Sequence, residues 1–106
     1  MAAYLVANYE ISNPTKYKDY VPAVFPTLER YSAEVLVAEY QSKTLEGNPG
    51  SVTIVIKFDS QKSLDDWYNS PEYQKVIHLR TDNSSGIAVS AGEFDLEKNL
   101  DILGAM

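Results

Sequence analysis

Apolar and polar residues alternate along "YLVANYEI", residues 4–11, with Leu5, Ala7, Tyr9 and Ile11 in one set and Tyr4, Val6, Asn8 and Glu10 in the other. A period of two belongs to a β-strand, whose successive side chains point to opposite faces. The first set is cleanly apolar and the second turns polar toward its end, so the strand is expected to have one core face and one mixed face. "EVLVAEYQ" at 34–41 and "SVTIVIKFD" at 51–59 are rich in β-branched and aromatic residues and flank the loop sequence "LEGNPG". They predict an antiparallel hairpin. After the turn-rich "TDNSSG", the run "IAVSAGEF" at 87–94 predicts a last strand in which Gly92 is a weak point or a bulge.

Between these runs the period changes to that of a helix. Asn13 is a suitable N-cap, Pro14 suits the first helical position, and Tyr17, Val21, Val24 and Leu28 recur at helical spacing. Pro22 and Pro26 interrupt the pattern and predict a bend, or a break near Tyr20 with a restart at Pro22. Ser60 caps "QKSLDDWYN", and Ser70 followed by Pro71 opens "PEYQKVIHLR". The order strand, helix, strand, strand, helix pair, strand is the split βαβ or ferredoxin-like arrangement, an α+β fold with a four-stranded antiparallel sheet. It occupies residues 1–94 as a single domain. In the remaining tail, 95–106, Leu96, Leu100 and Leu103 form a narrow stripe, which predicts a short helix packing on its own domain or on a partner.

The helices can cover only one side of such a sheet. Val52, Ile54, Ile56 and Phe58 alternate with Thr53 and Val55, and Leu36 and Ala38 alternate with Val35 and Val37, so both faces carry apolar residues. The uncovered face predicts a homodimer through sheet faces, a dimeric α+β barrel, with two-fold symmetry as the common solution. Composition supports this. A chain of 106 residues without cysteine has no disulfide or thiolate metal to reinforce a small core, which leaves oligomerisation. Nine basic against fifteen acidic residues, net −6, argue against nucleic acid and an anionic membrane surface as partners. The opening "MAAYLVANYE" has no basic leader and no long apolar run, so a cytoplasmic location is expected.

The segments "NPTKYKDY", "PTLERY", "LEG" and "FDSQKSLDDWYNSPEYQKVIHLR" together resemble the bacterial domain-of-unknown-function family 1330, within the dimeric α+β barrel superfamily. The resemblance spans roughly residues 4–94 and is most specific in the Asn-Pro-x-x-Tyr-x-x-Tyr and Ser-Pro-Glu-Tyr segments. It implies a ferredoxin-like protomer, sheets paired face to face, and no established activity. The chain departs from the family at Ser32 and Ala33, where a glycine pair is usual, and the tail from Asp95 lies outside the resemblance.

Candidate chemistry centres on "SPEYQKVIHLR". At about 100° per residue, Tyr73, Val76, Ile77, Leu79 and Arg80 share an inward sector, and His78, the only histidine, points nearly the opposite way. His78 is therefore expected at the surface. Arg80 is expected inside, either paired with a carboxylate such as Glu10 or holding an anionic ligand, since guanidinium donors match a carboxylate in a fork. Trp67 shares a face with Leu64 and Tyr68, which favours core packing, and it is also a candidate wall for a ligand. Tyr17 and Tyr20 stand among eight tyrosines and are candidates to line a cavity between sheet and helix, with Asn8, Glu10, Thr53 and Ser90 as polar contacts. No phosphate loop, metal-spaced cluster, thiol nucleophile or serine triad is present, so no cofactor or metal is expected. The expected role is binding of a small aromatic or carboxylate molecule. The alternatives are a cofactor-independent oxygenase or isomerase acting on an aromatic or polyketide-like substrate, and a structural interaction domain.

Overall fold

In the computed structural model, which describes residues 1–106, the strands are β1 (Ala3–Ile11), β2 (Glu34–Glu39), β3 (Val52–Phe58) and β4 (Ser84–Gly92). The helices are α1 (Pro14–Tyr17), α2 (Tyr20–Glu29), α3 (Gln61–Tyr68), α4 (Pro71–Gln74), α5 (His78–Thr81) and α6 (Leu96–Ala105). The strands form one antiparallel sheet in the order β2-β3-β1-β4. This is the α+β, ferredoxin-like arrangement that the element order predicts. No helix is long and apolar enough to cross a membrane.

Ala3, Leu5, Ala7 and Tyr9 of β1 are buried, as are Val52, Ile56 and Phe58 of β3, and these meet Tyr20, Val24, Leu28, Leu64, Trp67 and Tyr73 from the helices. The β1 alternation is thus realised residue by residue. In β2 it is not: the register shifts between Val35 and Val37, so Val35 opposite Ile56 and Ala38 opposite Ile54 share the inner face. A bulge adds one residue and reverses parity beyond it, which simple alternation does not anticipate.

The helical segments are more broken than their periodicity predicts. The break in the first region falls at Lys18 and Asp19, with α2 starting at Tyr20, so Pro22 sits in its first turn, where the missing N–H has no helical partner to lose. "PEYQKVIHLR" is not one helix but α4 and α5, joined by a turn in which the Val76 and Leu79 amides donate to the carbonyls of Tyr73 and Val76. The strand β4 begins three residues earlier than expected, because Ser84, Ser85 and Gly86 pair with Ile11, Glu10 and Tyr9. Turn-forming residues are drawn into a strand by an available edge. Gly86 lies so close to β1 that a Cβ there would run into the Asn8 carbonyl.

After α2 the chain turns through Ser32 at φ 52, the left-handed conformation that favours glycine. The turn geometry therefore persists although serine and alanine occupy the positions of the usual glycine pair. A non-glycine residue here costs about 1 kcal/mol. Ser32→Gly is expected to raise the melting temperature by about 4–8 °C per kcal/mol relieved, and a thermal melt checks it.

Candidate ligand cavity

Between α2 and the inner face of the sheet lies a cavity of about 50 Å³. Its walls are Leu5, Ala7 and Tyr9 of β1, Val35 and Ala38 of β2, Ile54 and Ile56 of β3, and Tyr20, Val21, Val24, Phe25 and Leu28 of α2, with Tyr17, Tyr40, Arg80 and Ala88 completing it. Phe25 and Tyr40 are exposed, so the cavity opens toward solvent where they stand. The lining is aliphatic and aromatic except for the phenol groups and one guanidinium.

That guanidinium belongs to Arg80, half-buried on α5. Its Cζ lies 5.8 Å from the Tyr9 ring centre and 6.0 Å from that of Tyr20, within range of cation–π attraction. Its Nη2 donates over 3.4 Å to Tyr73 Oη, which shares a 2.8 Å hydrogen bond with Tyr20 Oη. Tyr9 and Tyr17 share a second phenol pair at 2.6 Å. The other arginine, Arg30, has a carboxylate 2.8 Å away in Glu72, whereas Arg80 has none. Burial opposes its charge, but the Tyr73 and Tyr20 oxygens outweigh that effect and hold the guanidinium above its ordinary value. It is a permanent cation at physiological pH.

Burial pushes the phenols of Tyr9, Tyr17 and Tyr20 above their ordinary 10.0, because a phenolate there loses its water. All three are therefore neutral at pH 7, able to donate or accept a hydrogen bond but not to act as bases. The unfolded chain ionises near pH 10 and the folded one resists, so this contribution to stability is complete below about pH 10 and lost as the pH rises beyond it. A pH series should show the melting temperature falling above about pH 10, with phenolate absorbance from the buried tyrosines appearing in the same transition as loss of circular dichroism. Their ionisation in a still-folded protein would contradict this burial.

The residues singled out in the sequence separate into two groups. Arg80, Tyr17 and Tyr20 meet at the cavity. Trp67, Asn8 and Glu10 do not. Trp67 is fully buried between Tyr73, at 4.0 Å between ring centres, and Phe58, at 5.3 Å, and its Nε1 donates to Thr27 Oγ1 at 3.0 Å. Asn8 and Glu10 are on the opposite face of the sheet, as their parity against Tyr9 requires. Asn8 clamps the 40–51 loop, donating to the Gly50 and Val52 carbonyls at 3.0 and 3.1 Å and accepting from the Gly50 amide at 2.8 Å. Glu10 accepts from Ser51 Oγ at 2.6 Å, so the expected Arg80–Glu10 pair does not form. Thr53 is likewise on the far face with Asn8, and Ser90 accepts from Gln61.

His78 is exposed and outside the cavity, on a polar surface groove with Asn13, Asp19 and Asp82. No three histidine, aspartate or glutamate side chains converge as a metal site. Tyr9 and Tyr40 line the cavity and Tyr73 bonds Arg80, although the sequence does not single them out as site residues. The signal for Tyr9 and Tyr73 was their inward position, since a buried phenol oxygen requires a partner.

The sequence profile described as Domain of unknown function (DUF1330) matches residues 2–91. The chain belongs to this family. No curated protein matches it. In fold, this DUF1330 member is similar to the protein of unknown function RPA0582 from Rhodopseudomonas palustris, at TM-score 0.71 and 12% identity over 89% of this chain and 83% of that one. It is also similar to SnoaB, a cofactor-independent oxygenase from Streptomyces nogalater, at TM-score 0.63 and 7% identity over 89% and 94% of the two chains. A dimeric protein of unknown function and ferredoxin-like fold from Bacteroides fragilis follows at TM-score 0.53 and 12% identity over 88% and 96%. At these identities the likeness is one of fold. The family match ends before α6.

Proposed function

We propose that this protein binds a small organic acid with a flat apolar body, its acid group held by Arg80 and its body against α2 and the inner sheet face. The observation that carries the reading is Arg80 itself: a half-buried cation on an apolar cavity, surrounded by neutral phenols and without a carboxylate. Its single protein hydrogen bond, to Tyr73 Oη, leaves the other guanidinium donors free for an anion, and a carboxylate fits them in pairs. At about 50 Å³ the cavity holds little more than solvent, so entry of a ligand requires the exposed side chains of Phe25 and Tyr40 to swing aside.

Fold likeness to SnoaB supports the competing reading, an oxygenase. Binding is preferred because the lining contains no carboxylate or histidine to take a proton from a substrate, and its buried tyrosines are poor bases. A cytoplasmic place suits a chain without cysteine. A homodimer through the open sheet faces is supported by the apolar residues left exposed there, including Val37, Ile87 and Val89, and by the dimeric state of the Bacteroides protein.

The test is a calorimetric titration with benzoate and with benzamide, its neutral counterpart. Benzoate is expected to bind more tightly, and Arg80→Met to erase the difference. Equal binding of the two by the unaltered protein, or no binding of either, rejects the proposal.

A further inference from the structure

The tail beyond the DUF1330 domain folds into α6 without a surface to lie on. Asp95 caps it, its side chain accepting from the Lys98 amide, and the hydrogen bonds of α6 stay within residues 95–106. None of its residues is buried. Leu96 is 60% exposed, Leu100 59% and Leu103 63%, and Phe94 just before the helix is 73% exposed. A ten-residue helix is marginal in water by itself. Its leucines, about 40° or less from a common line, form one stripe that calls for an apolar surface.

An extended apolar surface without cover lies on the open face of the sheet, where Val6, Val37, Val55, Ile87 and Val89 stand in adjacent strands. Only residues 93–95 separate β4 from α6, and β4 is an edge strand of that sheet. Three extended residues span at most about 11 Å, so α6 is held at the rim of this face.

We propose that α6 is an exchanged arm: in a dimer whose open sheet faces pair over their centres, each chain lays the Leu96, Leu100 and Leu103 stripe on the rim of the same face of a second copy of this chain. Area argues for the second copy. Four strands about 4.8 Å apart and some 25 Å long present roughly 400–500 Å², while a stable dimer buries about 800 Å² per partner. A helix about 15 Å long, with Phe94, adds roughly 200–300 Å² and brings the interface close to that size. The inference rests on the homodimer proposed above, and is independent of any ligand in the cavity.

Since the chain contains no cysteine, Ala105→Cys gives a single site for a nitroxide label on the polar side of α6. Unlabelled chains carrying it are mixed with ¹⁵N-labelled unaltered chains and allowed to exchange. Broadening of amide signals in the ¹⁵N-labelled chains is expected, because the arm then lies on them. If native mass spectrometry shows a dimer but broadening occurs only when nitroxide and isotope share one chain, the arm is rejected and the dimer stands. A monomer at micromolar concentration rejects both. In parallel, the double substitution Leu100→Asp and Leu103→Asp, remote from the core, should raise the dimer dissociation constant at least tenfold with circular dichroism otherwise retained. Unchanged dissociation rejects the arm.

Discussion

Trp67→Ala is expected to cost about 3–5 kcal/mol of folding stability, the largest single loss available in this chain. The indole is wholly buried and lies against Tyr73, Phe58 and Tyr68, so its removal leaves a void lined by three aromatic rings. It also removes the 3.0 Å hydrogen bond from Nε1 to Thr27 Oγ1, the buried hydroxyl that itself donates to the Val24 carbonyl at 2.6 Å. The indole thereby ties α3 to α2. A domain of this size is stable by about 5–15 kcal/mol in total, so the loss is at least about a fifth of it. Urea denaturation followed by circular dichroism measures it, since the fluorescence probe is lost with the residue. Trp67→Phe keeps most of the packing and should cost no more than about 2 kcal/mol, chiefly the hydrogen bond and the smaller ring. Because Trp67 does not line the cavity, Trp67→Phe should leave benzoate affinity unchanged. A selective loss of binding in that variant would return Trp67 to the site.

Arg80→Met separates a binding role from a structural one because the two predict opposite signs. A methionine fills most of the arginine stem's volume and removes a charge that the fold leaves without a counterion. If Arg80 serves a ligand, stability should hold or rise, as is common where a functional group is retained at the expense of stability. Benzoate affinity should fall by about ten- to a hundredfold, the equivalent of a hydrogen bond to a charged group at about 1.5–3 kcal/mol. If the guanidinium instead holds Tyr9, Tyr20 and Tyr73 together through its ring contacts and its 3.4 Å hydrogen bond, the melting temperature should drop and benzoate should be indifferent. Calorimetry and a thermal melt on the same sample decide between them.

Both predictions depend on residues whose roles were unequally visible in the sequence. The inward turn of Arg80 and the outward turn of His78 followed from helical periodicity alone, and survived even though α4 and α5 are separate pieces, because the joining turn keeps nearly helical backbone bonding. Asn8 and Glu10, expected as cavity contacts, lie on the far face of the sheet because their parity in β1 is opposite to that of Tyr9.

The strands, their order, the caps at Asn13, Ser60 and Ser70, and the apolar tail stripe were determined by the sequence alone. These depend on periods of two and 3.6 and on hydrogen bonds reaching only a few residues along the chain. Tertiary structure alone decided the bulge after Val35, the early start of β4, the pairing of Tyr9 with Tyr17 and of Tyr20 with Tyr73, and the absence of a carboxylate beside Arg80. Each of those depends on which distant segment arrives as a neighbour, and a local pattern of residues contains no term for that distance.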